Sequence, residues 1–225
     1  RFEKIVSLNR HQPAIKFRGS LWTYAQANQR ANQLAHAIVR LRSATEEPVA
    51  FLLEHGADPI IAMIGILKAG KFCVPLDPSF PAERLAYMLE DSQSALLVTN
   101  EKNRHMANEL ARNGIKILIL EQLSRQLPDQ NPGLTISPDA KGVIQNHRNL
   151  LHDVWSVTKD YGFQPDDRFA LLFSVSYAAS VTPILSSLLN GATLLPFDLQ
   201  NDLVSLARWL AEEEITVYMS VPTLF

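Results

Sequence analysis

Cysteine is nearly absent from this chain. Cys73 is the only one in 225 residues, so no internal disulfide can form. That usage fits a protein of the reducing cytoplasm. The apolar neighbours of Cys73 read as core and not as a reactive thiol. Long hydrophobic runs are lacking too: the longest, Pro59 to Leu67, is far too short to span a bilayer. No charged-then-apolar leader opens the chain. An excess of charge of either sign is missing. A net charge of −2 and a pI of about 6.3 give no electrostatic case for nucleic acid or an anionic membrane. No Cys/His spacing suits zinc, and no Gly-x-Ser-x-Gly elbow supports a hydrolase. The first residue is Arg1, not Met, as expected of a piece of a longer chain.

What is present is apolar and periodic. At 47% apolar residues, the chain can bury a sizeable core. Pro13 to Phe17 reads as a strand, followed by a turn at Gly19-Ser20. Leu21 to Tyr24 then opens a long helix, with Thr23 and Gln26 at capping-box spacing. Tyr24, Ala27, Ala31, Leu34, Ala35, Ile38 and Leu41 follow the helical period. Pro48 to Leu53 is a buried strand, and Asp58-Pro59 starts a helix that is apolar all round. Gly70 stands where a left-handed cap is wanted, before a strand from Phe72 to Leu76. Asp77-Pro78 breaks that strand. Pro81 starts a helix with Leu85, Met88 and Leu89 on one face. Ala95 to Thr99 and Lys116 to Leu120 are strands around a polar helix from Glu101 to Asn113.

Residues 121–140 are loop, with three prolines and a glycine. A helix capped by Asn146 follows, carrying Leu150, Leu151, Val154, Val157 and Tyr161. Then come a strand from Arg168 to Phe173, a helix from Ser180 to Leu189 and a strand from Ala192 to Phe197. Asp202 caps a further helix, and Thr216 to Val221 is a last strand. Alternation of this kind predicts an α/β fold of layered, mostly parallel sheets covered by helices.

The stretch LKAGKFCVPLDPSFPAERLAYMLEDS, Leu67 to Ser92, closely resembles the second core motif of adenylate-forming enzymes. The wording is nearest to the adenylation domains of nonribosomal peptide synthetases. The Leu-x-Thr-Tyr opening at Leu21 resembles the first core motif of the same family. The resemblance covers essentially the whole chain and implies the N-terminal part of an adenylate-forming (ANL-type) fold. It divides the chain into a first α/β half over 1–120, a loop over 121–140 and a truncated second half over 141–225.

In the family, an apolar strand and a Ser/Thr/Gly-rich loop ending in Pro-Lys-Gly come before the equivalent of Val143. Here only Lys141 and Gly142 of that loop survive after Ala140. Hydroxyls and backbone N–H groups in such a loop wrap phosphates, so the resemblance makes Lys141 and Gly142 the edge of an ATP site. Either the loop is deleted or a mobile segment is omitted from the sequence. The second is favoured, because loss of a central strand should wreck the sheet.

The segment Phe173 to Leu194 resembles the fourth core motif. Anchored on Gly191-Ala192-Thr193, the motif's aromatic falls at Tyr177, its aspartate at Ala178 and its Trp-Glu pair at Thr182-Pro183. The chain is one residue shorter just before Tyr177. In the family that aspartate pairs with the α-ammonium of the amino acid. A partly buried cation needs a counter-charge, and Ala178 offers a methyl group. The expected substrate is therefore a carboxylic acid without a free α-amino group: hydroxy, keto, aryl, β-amino or fatty. A shifted register, or a carboxylate from elsewhere, is the competing account. Ala179 and Thr182 would line the same pocket.

His147 and His152 read as cap or surface residues before they read as catalysts. Asp166-Asp167 and Glu212 to Glu214 read as solvated charge and not as metal ligands. By resemblance, the reaction is carboxylate plus ATP giving acyl-adenylate and pyrophosphate, with Mg²⁺ assisting and a phosphopantetheinyl carrier protein as acceptor. No catalytic residue is assigned within the chain, which is expected to be inactive alone. An acyl- or aryl-CoA ligase is the nearest alternative, and a non-catalytic scaffold lacking the phosphate loop is another.

Overall fold

The structure is a computed structural model describing residues 1–42, 46–111, 114–124, 126–134, 147–199 and 203–220, with backbone only at 147–149. In chain order the first elements are α1 (Phe2–Leu8), β1 (Pro13–Phe17), β2 (Ser20–Thr23), α2 (Tyr24–Arg42) and β3 (Pro48–Leu52). Next are α3 (Ala57–Lys68), β4 (Phe72–Leu76), α4 (Ala82–Asp91), β5 (Leu96–Thr99), α5 (Arg104–Leu110) and β6 (Lys116–Ile119). The remaining ones are α6 (His147–Tyr161), β7 (Arg168–Leu171), α7 (Val181–Asn190), β8 (Thr193–Pro196) and α8 (Leu206–Glu212). They fall into two compact units: Arg1–Asn28 with His55–Ala57 and Asn149–Phe225, and Gln29–Glu54 with Asp58–Arg148.

The second unit carries a parallel sheet in the order β4-β3-β5-β6. Its strands are short apolar runs, as sheets covered on both faces require. Ala50, Leu52, Leu76, Leu97, Leu85 and Leu89 form one buried cluster, so α4 covers the sheet with the face its periodicity predicts. Burying each leucine contributes about 1.5–3 kcal/mol.

The cap at Gly70 is a complete Schellman motif. Gly70 has φ +70, its N–H donates to Leu67 O at 3.1 Å, and Lys71 N–H donates to Ile66 O at 3.1 Å. At the strand break, Asp77 Oδ1 accepts the Ser79 N–H at 2.9 Å, an Asx-turn that explains the Asp-Pro step. Cys73 sits on β4 with its thiol 3.7 Å from Met63 O, and burial pushes its pKa up to about 12. The residue as a whole is half-buried, and its thiol is disfavoured as a thiolate.

One polar stripe of α2 holds the segment after β6. The Arg30 guanidinium donates to Leu120 O. Asn32 Nδ2 donates to Asp129 O at 2.7 Å, and His36 Nε2 lies 3.0 Å from Gln130 O. Three polar side chains of the helix, Arg30, Asn32 and His36, thus serve backbone carbonyls that lie outside any strand ladder.

The first unit carries a mixed sheet in the order β2-β1-β8-β7, with β1 and β2 antiparallel and the other pairs parallel. Ser20 to Thr23 form a strand where the sequence predicts a turn residue at Ser20 and the opening of a helix from Leu21. The reason is the turn: Arg18 and Gly19 have φ +46 and +79, the pair of positive values that closes a two-residue hairpin. The helix starts one step later at a true capping box. Gln26 N–H donates to Thr23 Oγ1 at 3.2 Å, and Thr23 N–H donates to Gln26 Oε1 at 2.9 Å. Tyr24 is fully buried and its hydroxyl donates to Ala192 O at 2.7 Å.

Four further expectations change. Helix α1, which buries only Val6, was not foreseen. Helix α5 starts at Arg104 and not at Glu101, because Asn100 Oδ1 accepts the Asn103 N–H at 3.0 Å and turns the chain first. Leu151 and Tyr161 on α6 are exposed, while Val154 is buried. The strand expected at Thr216 to Val221 is, among the described residues, a single parallel bridge from Val217 to Phe169. The expected caps Asn146 and Asp202 lie outside the described residues. No described helix is long and apolar enough to cross a membrane.

Candidate functional site

The expected acid-pocket residues lie on the crossover from β7 to α7. That crossover leaves the carboxyl end of a parallel strand, the edge where open α/β sheets bind ligands. Beyond Leu171 the chain makes two tight turns. Tyr177 N–H donates to Ser174 O, and Ser180 N–H donates to Tyr177 O, both at 3.0 Å. Ser180 is 1% exposed, and its hydroxyl also donates to Tyr177 O at 2.7 Å. Two bonds to one carbonyl fix a single 3₁₀ turn over Ala178–Ser180, which runs straight into α7.

The consequence is presentation. With Ser180 anchored inward, Ala178 and Ala179 are turned outward and Tyr177 is 48% exposed. Thr182, half-buried in the first turn of α7, sends its hydroxyl to Asp153 Oδ2 of α6 at 3.4 Å. Tyr177, Ala178, Ala179 and Thr182 are therefore brought onto one short arc. None of the four carries a charge.

Behind the arc the helix ends as its composition predicts. Gly191 has φ +87, and a Cβ there would meet Asn9 Nδ2 at 3.0 Å, so both the conformation and the space ask for glycine. At the end of β7, His55 Nε2 lies 3.1 Å from Leu171 O, which assigns the ring proton to Nε2.

The other expected residues separate from this arc. Lys141 and Gly142 lie outside the described residues. His147 begins α6, and its side chain is not described. His152 is exposed, with its ring 6.2 Å from that of Trp155. Among the described residues no group of three His, Cys, Asp or Glu side chains could hold a metal ion.

The reading of solvated charge is corrected at two places. Glu213 pairs with Arg168 at 2.8 Å and with Lys16 at 2.6 Å. Asp167 accepts the Thr216 hydroxyl at 2.7 Å and the Gln164 N–H at 2.7 Å. These carboxylates clamp the β7 edge. Sequence reasoning also missed Asp153, whose approach to Thr182 spans 29 positions and leaves no local signal.

A profile of the family described as AMP-binding enzyme matches residues 2–134 and 139–225. Gramicidin S synthase 2 of Brevibacillus brevis is 33% identical over 245 aligned positions, which cover all of this chain and 5% of that synthase. The chain thus spans about one twentieth of that relative's length. The alignment also exceeds the chain's 225 residues, so the relative has at least 20 positions without a counterpart here.

Among solved structures, a nonribosomal peptide synthetase, FmoA3, in its α-methyl-L-serine-AMP bound form, superposes with a TM-score of 0.91 at 24% identity. It covers 99% of this chain and 26% of that one. The N-terminal subdomain of Klebsiella oxytoca NpsA, in complex with 3-hydroxybenzoyl-AMSN, superposes at 0.82 with 20% identity, covering 96% and 58%. At those identities the structural likeness speaks for the fold.

Proposed function

Because this chain belongs to the AMP-binding enzyme family, we propose that it is the N-terminal part of an adenylation domain activating a carboxylic acid that has no free α-amino group. The acid's carboxylate oxygen would attack the α-phosphorus of ATP, pyrophosphate would leave, and a carrier-protein thiol would then take the acyl group from AMP. Carrying that out rests on positioning and on neutralising the charge that develops on phosphate oxygens. Lys141 and Gly142 are assigned to the phosphates, which would bring Mg²⁺ with them. The division into 1–120, 121–140 and 141–225 belongs to the same reading. It draws support from the break in the family match between residues 134 and 139, close to where the phosphate loop would enter.

One observation carries the choice of acid: the exposed turn from Tyr177 to Ala179 has no charged side chain at all. One fold neighbour holds an amino-acyl-AMP and another a 3-hydroxybenzoyl compound, so the fold alone does not choose. An α-ammonium without a carboxylate partner would lose about 1.5–3 kcal/mol of charge-assisted hydrogen bonding. That is enough to disfavour α-amino acids by one to two orders of magnitude.

The test is acid-dependent ATP–pyrophosphate exchange by the full-length protein, over a panel of α-amino acids and their des-amino counterparts. Preference for the des-amino series supports the reading. Equal or better turnover of α-amino acids sinks it. The same uncharged turn also favours an acyl- or aryl-CoA ligase. Release of AMP on adding coenzyme A, in place of a pantetheinylated carrier, would identify that second reading.

A further inference from the structure

We propose that the chain associates with a second copy of itself, the exposed face of α6 on one copy docking into the groove between α4 and α5 on the other. This inference does not depend on the adenylation reading. The groove encloses about 1050 Å³ and is lined by Glu83, Ala86 and Glu90 of α4 and by Met106 and Glu109 of α5, among others. The spacing 83, 86, 90 puts the first three on one helix face, with the two carboxylates about 10 Å apart and Ala86 between them. All three are exposed. Among the described residues no lysine or arginine lines the groove, and no cation pairs with Glu83 or Glu90. The groove is therefore a notch over one alanine, flanked by carboxylates that water alone serves.

Helix α6 repeats that spacing with the opposite content. His152, Trp155 and Lys159 stand at the same i, i+3 and i+7 positions and share one face. Trp155 is 54% exposed. Its indole is held between the His152 ring, 6.2 Å away, and the Lys159 ammonium, 5.4 Å from the ring centre. Among the described residues no carboxylate pairs with Lys159. The imidazole of His152 keeps an N–H donor in either charge state. One helix thus presents apolar bulk between two donors, and the other a notch between two acceptors. Whichever way the helices run, Lys159 meets a carboxylate and Trp155 comes within about one residue's rise of Ala86. An exposed tryptophan seated in a partner's notch is the kind of anchor that carries an interface. One helix face against one groove is a small contact, so the association is weak and sensitive to salt.

The experiment is sedimentation equilibrium of the full-length protein over a series of concentrations, at low and at high salt. The expected result is an average mass that rises with concentration, less steeply in high salt. Lys159→Glu should weaken the association by about 10-fold or more, because like charges then face each other. The paired change Glu83→Lys with Glu90→Lys should do the same from the other side. Mixing these two variants should restore association, since one supplies an intact groove and the other an intact α6. Trp155→Ala should weaken it without any change of charge. Glu212→Lys, a charge change at an exposed position on α8, should leave it as it is. All the altered side chains are exposed, and melting curves check that each variant is folded.

A mass that stays that of one copy at every concentration overturns the inference, whether α6 is bare or covered by another part of the full-length chain. Association that survives Lys159→Glu and Trp155→Ala overturns it too, as does a mixture of the two charge variants that fails to associate.

Discussion

Gly65, in the middle of α3, faces α2, and replacing it with alanine sets two opposing effects against each other. Helix propensity favours the change: alanine in a helix interior is better than glycine by about 1 kcal/mol. Packing opposes it. An added Cβ would stand 2.9 Å from Ala31 O and 2.9 Å from Leu34 Cδ2. The first contact is backbone carbonyl inside α2 and cannot rotate away. The second belongs to a fully buried leucine, so relief demands an off-rotamer side chain or a small separation of the helices.

Overpacking of this kind costs about 2–3 kcal/mol, which leaves a net loss of roughly 1–2 kcal/mol for Gly65→Ala. At this chain length that lowers Tm by about 2–8 °C. Urea or thermal unfolding followed by far-UV circular dichroism measures it. Adding Leu34→Ala should make the two changes non-additive, with part of the loss from Gly65→Ala recovered because one of its two clashes is gone. A Gly65→Ala variant that melts higher than the parent would refute the close crossing of α2 and α3.

Two other outcomes follow from the titrating groups. Hydrogen bonds from Arg42, with further help from Lys71, hold the Glu47 carboxyl below its ordinary value of 4.5. A depressed folded-state pKa contributes stability that is complete above the ordinary value and fades as pH falls through the folded one. The stability gap between parent and Glu47→Gln should therefore narrow from about pH 5 downward, and urea midpoints across that range that keep a constant gap would count against the pairing. For Cys73, a rise from 9.0 to about 12 leaves about 10³-fold less thiolate at mildly alkaline pH. The higher-pKa thiolate is the stronger nucleophile and offsets part of that loss, so a disulfide reagent should label the native protein at least about 10-fold more slowly than the urea-unfolded chain. Equal rates would show the thiol to be accessible.

The elements most legible in the sequence are those where one local signal agrees with one buried face. Tyr24, Ala27, Ala31, Leu34, Ala35 and Ile38 are all fully buried as their spacing predicts, and Thr23 with Gln26 form the capping box read from two letters. Of that series only Leu41, in the last turn, is exposed. Illegibility begins where a residue's role is set by something distant. Leu21 to Thr23 look helical until the positive φ values at Arg18 and Gly19 fold them back on β1. Glu213 looks like one member of an acidic run until Lys16, 197 positions away, reaches it.

The candidate site divides the same way. The proposed loss of a charge at Ala178 is a feature of the aligned motif alone, and so is open to reading from the sequence. Asp153 is not, because its meeting with Thr182 is made by two helices and by no motif.

The grip of α2 on the segment after β6 has a consequence for what that segment can tolerate. Arg30, Asn32 and His36 address the carbonyl oxygens of Leu120, Asp129 and Gln130, which every amino acid has. Such a hold is indifferent to spelling and sensitive to count. Apart from the buried Leu120, Leu123 and Leu127, the hold on this segment asks little of its side chains. One residue added or deleted between Leu120 and Asp129 would shift the carbonyls that Asn32 and His36 address relative to the one that Arg30 holds. Variation accumulating there should therefore change letters and preserve length.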